Sequence, residues 1–245
     1  MLILGTCTYI YFALLNLKNT TMTKSLFTLM AAGILALGAC TTGTDADSAT
    51  TAEAAEAAET TGAIFQVDTT STVNFIGTKP NGEHHGTMQV STGSLSVENG
   101  ELKGGSFTMD VTSTVIHDLQ GKDKSDLEGH LKSPDFFHIE KWPTSSFTIT
   151  EVKPYDSTVI KSKLSNPTHI ISGNLTLRDS TLNVTFPASV RVNDNNATAQ
   201  ADFNIDRTRW GMNYKGPNNP ADFFISKEVN IKIDLKAVKA DTSAP

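Results

Sequence analysis

The sequence predicts an all-β protein whose strands close an apolar face on itself, as a sandwich or a barrel. Three observations carry this. Apolar and polar residues alternate with period two over long stretches after residue 63, helical periodicity is nearly absent there, and turn-forming groups separate the alternating stretches. Successive side chains of a strand face opposite sides, so each stretch has one dry and one wet face, and the dry faces must be buried together. A barrel does this while also removing exposed strand edges.

The elements follow in order. Strands are expected at 64–68 and 72–78, with Pro80-Asn81-Gly82 as the turn after them. Strands at 86–91 and 94–98 lead into Glu98-Asn99-Gly100, a hairpin signal, and some neighbouring strands should merge across bulges. Phe107, Met109 and Val111 then alternate with Thr108, Asp110 and Thr112. A helical interruption at 125–131 places Ser125 and Glu128 at capping-box spacing, and Ser133-Pro134 suits the start of a second turn. One short helix beside a large sheet suits a lid better than a layer. Strands are expected at 145–152, 156–163 and 168–178, ending in the turn Arg178-Asp179-Ser180. The clearest alternation spans 182–192, where every even position is apolar. Beyond Asn193-Asp194-Asn195-Asn196, Ala197, Ala199, Ala201, Phe203 and Ile205 alternate with polar residues, and Val229, Ile231, Ile233 and Leu235 do so last.

The 245 residues are 38% hydrophobic and 19% charged, which fits neither a disordered polyampholyte nor a polytopic membrane protein. A net charge of -6 is the wrong balance for a non-specific nucleic-acid binder. Both cysteines, Cys7 and Cys40, lie in the first forty residues. The rest of the chain can hold no disulfide, no Cys-based metal site and no thiol nucleophile. Lys24 precedes an uncharged apolar run at 26–37 that ends in Leu37-Gly38-Ala39-Cys40, which resembles a bacterial lipoprotein signal. Residues 1–40 are thus expected to be a signal peptide, with Met22 as the true start because 2–17 is a second apolar run that one signal does not need. Cys40 is expected to carry lipid, palmitate included, and to anchor the protein in the bacterial cell envelope. Thr41 rather than Asp after the cysteine favours the outer membrane, facing the periplasm. Residues 41–62 are Thr, Ala, Asp and Glu with no large apolar side chain, and are expected to form a disordered or partly helical tether. The folded domain then spans 63–238, and 239–245 is a C-terminal tail.

Four stretches resemble the YceI-like family of polyisoprenoid-binding, lipocalin-like domains: Val67-Asp68 with Ser71-Thr72-Val73-Asn74-Phe75; residues 126–147, including His130-Leu131-Lys132-Ser133-Pro134-Asp135-Phe136-Phe137, Lys141-Trp142-Pro143 and Ser146-Phe147; Gly173-Asn174-Leu175-Thr176-Leu177-Arg178 leading to Val184-Thr185-Phe186-Pro187; and Phe203-Asn204-Ile205-Asp206-Arg207 with Trp210-Gly211. Together they cover nearly all of 63–238. The resemblance implies an antiparallel eight-stranded barrel whose apolar interior takes a long isoprenoid chain, such as the tail of a quinone or polyprenyl lipid. Phe65 stands where the family often has Trp, and Trp142 where Tyr is common.

The expected ligand-binding residues are Phe75, Phe107, Met109, Phe136, Phe137, Phe147, Ile149, Leu175, Leu177, Phe186, Phe203, Ile205 and Trp210. Small residues beside them (Ala188, Ala197, Ala199, Ala201) fill space poorly and leave room for a channel. Phe136 and Phe137 follow the helix and would border a barrel mouth. Arg207 or Arg209 could meet a ligand head group there, but a salt bridge with Asp206 or another carboxylate that fixes the strand end is the favoured expectation. The six histidines fit no metal motif, and His84-His85 reads as an exposed loop pair. With no catalytic motif in view, the expectation is a carrier or storage protein that binds lipid without catalysis, metal or cofactor. Its partners would be that lipid and the membrane, with self-association as a homodimer left open. The rival reading is a structural envelope lipoprotein with a filled barrel and a protein partner.

Overall fold

The computed structural model describes residues 45–216 and 225–241. Cys40, Met22 and the expected signal peptide lie outside the described residues. In chain order the elements are β1 (Asp47–Ser48), β2 (Thr50–Glu53), β3 (Ala63–Val67), β4 (Thr72–Lys79), β5 (Gly82–Glu98), β6 (Glu101–Ile116), α1 (Gly121–Lys132), β7 (Thr144–Pro154), β8 (His169–Leu177), β9 (Ser180–Val192), β10 (Asn196–Asp206), a short 3-10 turn at Arg207–Trp210, and β11 (Glu228–Lys239).

Strands β4 to β11 pair antiparallel in sequence order, and β11 pairs back onto β4, closing an eight-stranded barrel. β3 continues the wall where β4 stops, between β11 and β5. The hairpin turns after β4 and β8, helix α1 and the 3-10 turn all gather at one end of the cylinder. The opposite end carries the hairpin Asn99-Gly100, whose φ values of 54° and 79° give the left-handed pair that a two-residue hairpin requires. The expected strands at 86–91 and 94–98 are one strand, β5, whose register against β6 shifts between Thr87 and Gln89, Val90 and Thr92, and Ser96 and Val97. Such bulges bend a long strand, as closure of a small barrel demands.

Two local expectations are corrected. Residues 156–163 form no strand. The Asp156 carboxylate accepts from the Thr158 N–H at 2.8 Å and its Oγ1 at 2.7 Å, an Asx turn that folds the chain away from the sheet and leaves Val159 exposed. The helix begins at Gly121, four residues before the expected cap, so Ser125 sits inside it and no capping box forms. Glu128 instead reaches the end of β6, where its Oε1 accepts from the Ile116 N–H at 2.8 Å and ties the helix to the barrel.

Residues 45–62 also differ from a free tether. β1 pairs parallel with β10, and β2 pairs antiparallel with β9. The chain then crosses the outer wall: Ala55 exchanges hydrogen bonds with the Asn174 side-chain amide on β8, and the Ala58 N–H donates to the Ile149 carbonyl on β7 at 3.0 Å. Asp47 accepts from the Lys163 N–H and Asp45 pairs with the Lys163 ammonium, but the rest of the contact is made largely by main-chain groups, which any low-complexity segment possesses, so composition does not show it.

Candidate functional site

The alternation of β4 to β11 turns one row of side chains per strand inward. At the helix end these rows do not fill the interior, and a cavity of about 250 Å³ remains. Phe75, Phe107, Met109, Phe147, Leu175, Leu177, Phe203 and Ile205 form its wall, as the strand periodicity predicts. Leu127 and Leu131, one turn apart on α1, and Phe136 and Phe137 beyond it cover the top. The wall is almost wholly hydrocarbon; Ser145 contributes a hydroxyl-bearing side chain. Ten of the thirteen expected binding residues therefore meet around one space.

The other three lie elsewhere. Ile149 and Phe186 line a second cavity of about 40 Å³ at the opposite end, together with Ala188, Ala199 and Ala201. The small residues do leave room, but the larger space lies beyond them. Trp210 touches neither cavity: it is fully buried, and its indole N–H donates to the Leu175 carbonyl at 3.0 Å, fastening the 3-10 turn to β8.

Four aromatic rings, with Ile233 beside them, lie between the two cavities. Phe203 faces the larger one and Phe186 the smaller, and the two stack with centroids 4.0 Å apart at 8°. Phe147 lies 5.7 Å from Phe186 and 5.5 Å from Phe107, and both Phe107 and Phe147 border the two spaces. Offset and tilted ring contacts of this kind each contribute about 0.5–1.5 kcal/mol beyond burial. Gly173 on β8 makes the layer possible, because a methyl group there would overlap the Phe147 ring.

Among the described residues that line the cavity Lys79, the last of β4, is exposed, which marks this side as the way in from solvent. Lys79 Nζ lies 3.0 Å from His84 Nε2, and His84 Nδ1 lies 2.7 Å from Asp118 Oδ2. Burial raises the Asp118 carboxyl, but the His85 N–H and the His84 ring outweigh it and hold it below the usual carboxylate range. His84 is thus not a free loop residue. Arg207 lines the cavity but has little to offer a ligand. It is buried, and its guanidinium donates to the carbonyls of Met212, Tyr214, Ile225 and Ser226. The expected pairing with Asp206 is absent: that carboxylate caps the 3-10 turn through Thr208 and meets Lys227 at 3.3 Å. The exposed Arg209 donates to the Thr51 carbonyl of the outer strap, away from the cavity.

Sequence reasoning missed several lining residues. Val73, Val229, Ile231 and Ile233 share the inward parity of Phe75 and Leu235, so the alternation contained them. Lys79 ends β4 with the same parity as Phe75, whereas Met212 and Ile225 come from irregular segments, where no periodicity points inward. Among the described residues no group of three His, Cys, Asp or Glu is placed to hold a metal ion.

A family profile described as the YceI-like domain matches residues 65–237. No curated protein matches significantly. Among solved structures, BcnA from Burkholderia cenocepacia is similar at 20% identity and a TM-score of 0.55, covering 70% of this chain and 99% of its own. A polyisoprenoid binding domain from Saccharophagus degradans, implicated in plant cell wall breakdown, is similar at 16% identity and a TM-score of 0.50, covering 74% of this chain and 100% of its own. At these identities the two structures bear on the fold.

Proposed function

The chain belongs to the YceI-like domain family, and from that premise we propose that it binds a long apolar lipid of isoprenoid type inside its barrel, as a carrier or storage protein of the bacterial envelope held to a membrane through Cys40. The observation that carries the reading is the hydrocarbon-walled cavity of about 250 Å³ at the helix end of the barrel. The polyisoprenoid binding described for the Saccharophagus degradans domain, which has the same fold, supports the choice of ligand class. An apolar cavity of about 150 Å³ already takes up benzene, so this one offers room for a branched chain. Affinity comes from removing the ligand's apolar surface from water, at about 25 cal/mol per Å². Such a wall reads width and length rather than chemistry, and the Lys79 and His84 pair at the surface is where a polar head would rest. Nothing in this geometry requires the ligand to react.

The reading is tested by extracting the protein, purified without harsh detergent, with organic solvent and identifying the extract by mass spectrometry. The expected result is a prenyl lipid near one per protein, and a higher melting temperature when polyprenyl lipid is added back to the stripped protein. Protein that yields no lipid and gains no thermal protection would support the filled-barrel alternative.

A further inference from the structure

We propose that the stacked Phe186 and Phe203 rings, flanked by Phe107 and Phe147, are the floor of the ligand cavity and set how much of a prenyl chain the barrel buries. The inference rests on the lipid-binding reading and adds to it a chain-length limit and the residues that impose it.

Phe203 lines the larger cavity, and Phe186, stacked on it, lines the smaller one. A ligand entering beside Lys79 therefore meets two ring thicknesses before it reaches the space beyond. The rings cannot simply lean aside. All four are at least 94% buried, Phe147 is seated against Gly173, and the Phe107 and Phe186 rings both pack against it. By proportion with the cavity that holds benzene, about 250 Å³ accepts roughly ten carbons, or two isoprene units. Each further unit of a longer chain stays outside the floor and adds little. The smaller cavity, about 40 Å³ and bordered by Ala188, Ala199 and Ala201, is the volume that opens when the floor is breached.

The test is a length series of linear all-trans prenols, from prenol through geraniol, farnesol and geranylgeraniol to solanesol, measured by displacement of a fluorescent apolar probe from the full mature protein. Each unit buried should raise affinity about tenfold or more. The expected curve climbs to geraniol or farnesol and then flattens, with less than about a threefold gain per added unit. In Phe186→Leu, which keeps an apolar side chain and the fold, the break should move to longer chains; Phe186→Ala, checked for folding by circular dichroism, should move it further. Affinity that climbs steadily to geranylgeraniol in the unaltered protein overturns the floor and leaves lipid binding standing. A break that stays in place in a folded Phe186→Ala protein overturns the assignment of the floor to this stack. Failure of every prenol to displace the probe overturns the lipid-binding reading, and the floor with it.

Discussion

Asp206 and Arg207 are adjacent in sequence and do different work with their charges. Arg207 spends its donors on four carbonyls and so knots the turns at 212–214 and 225–226 into the barrel end. Burial alone would raise the Asp206 carboxyl; the Thr208 N–H and O–H, with Lys227, more than offset it and hold the group below the usual carboxylate range. A carboxylate stabilised in the folded state contributes above its unfolded pKa, and the contribution fades as pH falls through the lowered folded value. Asp206→Ala should therefore cost about 1 kcal/mol at neutral pH, the usual worth of a capping side chain. In urea denaturation the gap from the unaltered protein should narrow below the carboxylate range; a gap that is constant with pH would remove the electrostatic part of this account. None of this pairing was legible in the linear sequence, where neighbouring opposite charges suggest a salt bridge that strand geometry does not make.

At the scale of elements, the strap at 45–62 is the feature composition conceals. Polar side chains of the outer wall meet it along its path: the buried Asn204 donates to the Ala46 carbonyl at 3.0 Å, and the half-buried Asn174 bonds both the N–H and the carbonyl of Ala55. A side-chain amide that meets a passing peptide at both donor and acceptor acts as a short piece of sheet edge. Asn174→Ala removes both contacts and a further one from the Asn183 amide at 3.0 Å. It should destabilise by about 1–3 kcal/mol and speed proteolytic cutting within 45–62. Unchanged protection of that segment would show that Asn174 does not hold it. The strands, in contrast, were readable wherever alternation was long: 182–192 and 197–206 appear as β9 and β10 within two residues at each boundary. Residues 156–163 failed because a side chain, Asp156, supplied local hydrogen bonds that outcompeted the sheet. The expected capping box does not form: the helix starts at Gly121, and Glu128 accepts from the Ile116 N–H of β6 instead.

For the whole molecule, parity along the strands was enough to choose which residues face inward, and hence which ten of the expected residues share the cavity. It could not place the void. Where space remains depends on how rings from four different strands meet across the barrel, and the encounter of Phe186 with Phe203 is a property of closure and register, not of either strand alone. The result is a cylinder with one roomy, hydrocarbon-walled end under a short helix and one nearly solid end beyond an aromatic layer. A crystal structure of the protein saturated with farnesol tests this most directly. Continuous ligand density between Phe136 and Phe203, with the hydroxyl toward Lys79, is the predicted result. Farnesol confined to the outer wall, with the interior unchanged and empty, would contradict it.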